Sequence, residues 1–202
     1  MPTFCAHFKL LKERLDELEG KFIAEQIAAE TADPLNFQPD LDKLAAFRLL
    51  IHAELEDFLE QKAKENVSAI SARLGVGRWM RHSPELLALV LALRKPLPAA
   101  EALELGRFEQ FIQEVIAGAN AAIKDNNGVK SGSFVLLSLC AGKTLDEIDS
   151  VLSNSLNSYG KDRGDVAHKS VIRSTSLQAP TSELATAKVL VDQLALYFDV
   201  CV

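Results

Sequence analysis

The chain has 202 residues, 48% of them hydrophobic and 25% charged, with a formal net charge of −6. That length suffices for one well-buried domain with an appended arm, and a composition rich in Ala and Leu but poor in aromatics favours helix over strand. The acidic balance excludes a broadly basic nucleic-acid-binding surface, so any RNA site has to be a local patch; no apolar segment approaches the roughly 20 residues of a membrane span.

The start, Met1 to His7, lacks a basic region followed by an apolar run, so no signal peptide is expected and the expected compartment is the cytoplasm. Cys5, Cys140 and Cys201 form an odd set without CxxC or zinc-site spacing, which reads as buried thiols in a reducing compartment. Phe8, Leu11, Leu15, Leu18 and Phe22 recur at helical spacing and predict an amphipathic helix from about Thr3 to about Glu30. Pro34 and Pro39 break the pattern. Asp40 or Asp42 then caps a second helix, striped by Leu44, Phe47, Ile51, Leu55, Phe58 and Leu59 and expected to run through about Lys64.

Arg48, His52 and Glu56 are spaced one turn apart in that second helix and can interact along one face. The spacing reads either as a helix histidine paired with a carboxylate or as a secondary polar site. With Glu54 beside them, the candidate ligands are too few for a metal centre, and none is expected.

Downstream, Gly75 and Gly77 mark a turn, and Arg73, Arg78, Trp79 and Arg81 make a small basic and aromatic cluster. Such a cluster can pair phosphates and stack bases, or can be a partly buried Trp among solvated arginines. Ser83-Pro84-Glu85 is a helix start, and the apolar run from Leu86 to Leu93 predicts a helix buried on all sides. A longer helix is expected from about Ala99, with Phe108, Phe111, Val115, Ala119 and Ile123 on one face, stopping at Asp125 to Gly128. Phe134 to Leu139 predicts a short core helix or turn. Gly142-Lys143-Thr144 resembles the end of a phosphate loop, but Leu137 occupies the position where that loop needs glycine. Thr144 with Glu147 fits a capping box instead. The helix that follows carries Ile148, Leu152 and Leu156 and is expected to fray at Ser158 to Gly160, where Asp162 caps a new one. A loop from Ser170 to Pro180 precedes a last helix, capped by Thr181 or Ser182 and striped by Leu184, Ala187, Val191, Leu194 and Phe198.

The stretch from Asn126 to Ser170 contains Arg163-Gly164-Asp165-Val166-Ala167-His168. Arginine stays cationic and grips phosphate oxygens with a planar fork, while histidine exchanges protons near neutral pH. Together with Asn126 to Val129 and Leu137 to Gly142, this segment resembles the Arg-x4-His signature of the HEPN family, most closely the prokaryotic RiboL-PSP-HEPN kind; the resemblance extends from about Ala45 onward. It implies one all-α HEPN-like helical bundle over 1–202, with 1–39 as an N-terminal helix and Pro-containing connection and 40–202 as core bundle and C-terminal helix.

It also implies a metal-independent, cofactor-free endoribonuclease with Arg163 and His168 as catalytic residues, supported by Asp165, Gly164 and Lys161. The implied partners are RNA, a second copy of the chain, and an antitoxin or regulatory protein restraining a toxin or defence effector. The alternative is a non-catalytic module of the same family that binds RNA, nucleotide or a protein partner. A blander reading leaves Arg163 capping helix carbonyls, His168 making a buried polar contact, and the whole as a helical interaction domain. The chain departs from the family pattern at Gly164, where many active members carry a polar residue; Asp165 stands one place later. On a regular helix Arg163 and His168 are about 140° apart, so convergence within one chain calls for a non-helical start at Arg163.

Overall fold

The structure, a computed structural model, describes residues 4–74, 83–95, 105–168 and 176–200; the side chains of 4–5, 74, 83–85, 105–108 and 163–168 lie outside that description. The described residues are all-α, with no strand among them. The helices are α1 (Phe4–Leu18), α2 (Ala24–Ala32), α3 (Leu41–Leu74), α4 (Ser83–Ala92), α5 (Leu105–Lys124), α6 (Ser131–Cys140), α7 (Ser150–His168) and α8 (Pro180–Tyr197). They belong to two compact units, one of residues 1–58, 128–131 and 149–202, the other of 59–127 and 132–148.

In the first unit, α1 and α2 are joined by a π-helical turn, Glu19–Ile23. Phe8, Leu11, Leu15 and Leu18 are buried as their spacing predicts, but the next buried residue is Ile23, while Phe22 is half-buried. A π turn holds an extra residue, so the core-facing position after Leu18 falls five residues on rather than four. Asp40 caps α3, its carboxylate accepting from the Lys43 amide at 3.1 Å. Phe58 on α3 packs edge-on against Phe8 at 6.0 Å and Phe198 at 5.9 Å between ring centroids, fastening both ends of the chain to one core. The last helix touches α1, the π turn, α2 and α7. It begins at Pro180 with Ala179 before it, so neither Thr181 nor Ser182 is its cap. The Thr181 amide and hydroxyl instead donate to Glu30 at 3.1 and 2.7 Å.

Helix α3 extends ten residues beyond the expected end at Lys64, and its residues from Leu59 belong to the second unit. The cause is legible in the core: Leu59, Ala63, Val67 and Ile70 continue one buried stripe. There Asn66 donates to the Cys140 carbonyl at 2.9 Å and fastens the end of α6. Phe134, Leu137 and Leu139 on α6 are buried as expected. Helix α4 is not buried on all sides: Ala88, Leu89 and Val90 are, but Leu87 and Leu91 are about half exposed. The predicted start of α5 near Ala99 and the cluster of Arg78, Trp79 and Arg81 lie outside the described residues. Thr144 and Glu147 do form the expected capping box, with the Thr144 amide donating to Glu147 at 2.7 Å, but it closes a single 3-10 turn, Leu145–Glu147. The long helix α7 starts afresh at Ser150, capped by Asp149, whose carboxylate accepts from the Val151 and Leu152 amides at 2.8 and 3.0 Å.

Candidate functional site

Three of the residues singled out in the sequence, Arg48, His52 and Glu56, stand in a row on α3 within the first unit, and the structure gives each a different partner. Arg48 is buried. Its Nε donates to Glu183 Oε2 at 3.0 Å, its Nη2 donates to Glu183 Oε1, and its Nη1 donates to the Ser176 carbonyl at 2.8 Å. Glu183 Oε1 also accepts from the Gln178 amide at 2.7 Å. A charge pair out of contact with water is tolerated only when its remaining donors and acceptors are used, and here most are.

His52 sits in a slot. Its ring stacks on Tyr159 at 6.5 Å with an interplanar angle of 13°. A methyl group added at Gly160 would come within 3.4 Å of His52 Nε2, and one at Gly128 within 3.7 Å of His52 Cε1. Gly128 has a φ of +98°, a left-handed conformation that glycine adopts without strain, and its amide donates to Glu56 Oε1. Glu56 Oε2 lies 3.8 Å from His52 Nδ1, close enough for charge interaction but beyond a hydrogen bond. The row therefore joins α3 to the turn after α5 and to α7.

Tyr159 connects the two halves of this row. Its hydroxyl donates to the Arg48 carbonyl at 3.5 Å and its ring lies 5.9 Å from the Arg48 guanidinium. Burial, and after it the Glu183 carboxylate, hold the Tyr159 phenol above its ordinary range against the opposing pull of Arg48.

Tyr159, Gly160 and Asp162 are all interior to α7, which runs unbroken from Ser150 to His168. The expected fraying at Ser158 to Gly160 and a fresh cap at Asp162 are therefore absent: one helix replaces two. Arg163 follows Tyr159 by one turn, in register with Leu152 and Leu156, while His168 closes the helix about 140° away. Gly164 and Asp165 lie between them on the same helix, and Lys161 is exposed two residues before Arg163. The side chains of Arg163, Asp165 and His168 lie outside the described residues.

Alongside, a cleft of about 560 Å³ opens between α7 and α8, lined on one side by Asn154, Ser155, Ser158 and Asp162 and on the other by Thr186, Val189 and Gln193. Arg48 and Tyr159 contribute to its lining. The buried row of α3 thus reaches the cleft, and the cleft lies on the α7 turns that lead into Arg163. No protein-family model, curated protein or solved structure matches the chain.

Neither Tyr159 nor Glu183 stands out as a site residue from spacing alone. The signal for Glu183 was present: it stands with Ala187, Leu190 and Leu194 on the apolar stripe of α8, where an acid needs a buried partner. Tyr159 falls where local propensity predicts a helix end. Among the described residues, no group of three or more His, Cys, Asp or Glu side chains is arranged to hold a metal ion, and no helix is long and apolar enough to cross a membrane.

Proposed function

We propose that this chain is a HEPN-type endoribonuclease that cleaves RNA without a metal, through a composite site shared by two copies of the chain. What supports the reading is the Arg-x4-His spacing of Arg163 and His168 on the last turns of α7 in an all-α fold. Their angular separation on an unbroken helix leaves the pair divided within one chain, and a partner related by a two-fold axis supplies the second pair.

In that arrangement one imidazole takes the proton of the RNA 2'-hydroxyl as its oxygen attacks phosphorus. The second, protonated imidazole gives its proton to the leaving 5'-oxygen as the phosphorus–oxygen bond breaks. The products are a 2',3'-cyclic phosphate and a 5'-hydroxyl. The two Arg163 guanidiniums stabilise the added charge on the phosphorane-like transition state. Lys161 adds positive charge beside the motif, and Asp165 takes the supporting polar role that Gly164 lacks. The cellular role consistent with this chemistry is a cytoplasmic toxin or defence effector held in check by an antitoxin or regulatory protein.

The test is incubation of wild type and His168→Ala with structured RNA in EDTA. Cleavage by wild type alone, leaving cyclic phosphate ends, is the expected result; equal cleavage by the variant would overturn it. The unbroken helix also favours a second reading, because it removes the flexible start that would let Arg163 swing toward His168. In that reading the chain is a non-catalytic HEPN module that binds RNA, nucleotide or a protein partner. Binding of RNA without turnover by the folded dimer distinguishes it.

A further inference from the structure

The cleft between α7 and α8 has no part in the proton transfers just described, yet its lining is chemically selective. Its volume, about 560 Å³, falls in the range of small-molecule sites, about 300–1,000 Å³. Its described lining disfavours an anion. Among the described lining residues Arg48 is the one cation, and it is committed to Glu183 and to the Ser176 carbonyl, while Asp162 places a carboxylate on the same wall. A phosphate group would meet repulsion from Asp162 there, with no free guanidinium or ammonium among the described lining residues to hold it.

The cleft instead suits a flat, neutral ligand with an apolar face and a hydrogen-bonding edge. Val189 and Leu190 form an apolar wall on α8. Asn154, Ser155 and Ser158 face the ligand space from α7 with groups that both donate and accept. The Asp162 carboxylate offers acceptors, so it selects for a donor on the ligand. The Gln193 amide oxygen in α8 is buried and has no hydrogen-bond partner among the described residues, so the fold leaves that acceptor uncommitted.

We propose that this cleft binds a nucleobase whose amino group stands where uracil and guanine carry a carbonyl oxygen, adenine or cytosine, displayed by single-stranded RNA. The choice of RNA as bearer rests on the ribonuclease reading; the selectivity rests on the lining. Side-chain amides pair with the amino edge of adenine, and carboxylates accept from the amine of cytosine. Uracil carries a carbonyl oxygen where those bases carry the amine, and that oxygen would oppose Asp162. Unpaired bases are the part of RNA that proteins read by their edges.

The experiment titrates the full chain with adenosine, cytidine, uridine and inorganic phosphate, followed by saturation-transfer NMR to about 10 mM ligand, well into the range of weak binding. Adenosine or cytidine is expected to bind at least about tenfold more tightly than uridine, with no binding of phosphate. Asp162→Asn, checked for unchanged melting, should cut that preference about tenfold, and Ser158→Leu, which places bulk in the cleft from an exposed position, should abolish binding. Absence of nucleoside binding, uridine binding as tight as cytidine, or preferential phosphate binding would overturn the proposal. The wild-type cleavage assay separates the two ideas: base binding without RNA cleavage removes the nuclease and keeps the pocket, whereas cleavage without base binding removes the pocket alone.

Discussion

The Arg48 guanidinium and the Glu183 carboxylate, 135 positions apart in sequence, meet inside the first unit as a two-point ion pair, with side-chain exposures of 3% and 0%. Such a pair is strongly coupled: removing one member leaves the other charge buried and uncompensated, at a cost of about 3–5 kcal/mol. Arg48→Met and Glu183→Leu are each expected to lower unfolding stability by that amount in urea titrations. The double variant should be more stable than either single one, since no charge is then stranded. Additive losses would mean that the pair is not coupled.

Tyr159 distinguishes packing from hydrogen bonding in the same row. Its hydroxyl bond to the Arg48 carbonyl is long, at 3.5 Å, so Tyr159→Phe should cost about 1 kcal/mol or less. Tyr159→Ala removes the ring stacked on His52 and should cost about 3–5 kcal/mol. Similar losses in the two variants, measured by chemical denaturation, would assign the stability to the hydroxyl and not to the ring.

Much of this architecture is legible in the sequence, and the points where it is not have physical causes. The stripes of Phe8 to Leu18 and Leu44 to Leu59 locate α1 and α3 because each buries one continuous face. The stripe fails at Phe22 because a single inserted residue, absorbed by the π turn, moves the core position to Ile23, and helical periodicity contains no sign of it. The break expected at Ser158 to Gly160 rests on local propensity. Tertiary packing overrides it, since Tyr159 and Gly160 are both buried, the tyrosine on His52 and the glycine giving that ring room. The α3 half of the polar row follows from spacing alone. Its partner Glu183 comes from the far end of the chain, and only a fold can supply that pairing.

Cys140 makes stability sensitive to alkaline pH. Burial pushes its thiol up to about 12 from an ordinary value of 9.0. Because the folded state holds this proton more tightly, the contribution is complete below pH 9, where folded and unfolded thiols are both protonated. It is lost as pH rises from 9 through 12, at about 1.4 kcal/mol per pH unit. Wild type should therefore lose stability faster than Cys140→Ala between those values in denaturant titrations. Parallel curves would place the thiol in contact with solvent. Slow reaction of native protein with a thiol reagent at neutral pH is the companion expectation.

Two glycines should respond oppositely to the same substitution. Gly142, at φ +92°, would strain any side chain and place a methyl group 3.2 Å from Asn66, so Gly142→Ala should cost about 1–2 kcal/mol. Gly160 lies within α7, and its added methyl group would meet its nearest neighbour, His52, at 3.4 Å. Helix propensity favours alanine there by up to about 1 kcal/mol, so Gly160→Ala should be neutral or mildly stabilising. Thermal melts of the two variants, run side by side, check both signs. A large loss at Gly160 would show that the His52 slot tolerates no added atom.

The ribonuclease reading makes its sharpest demand on Arg163. If its fork holds the phosphorane-like transition state, Arg163→Ala should lower cleavage about 100- to 1,000-fold with helicity unchanged. Arg163→Lys should recover only part of that loss, because an ammonium cannot reproduce the two-point grip. Gly164→Asn is informative in the other direction. It restores a polar side chain after the arginine and replaces a helix-interior glycine, so it should raise turnover without weakening the fold. Cleavage rates on one RNA, with circular dichroism for each variant, test all three. Full activity in Arg163→Ala would remove the arginine from the chemistry and leave the binding module as the function of this helix.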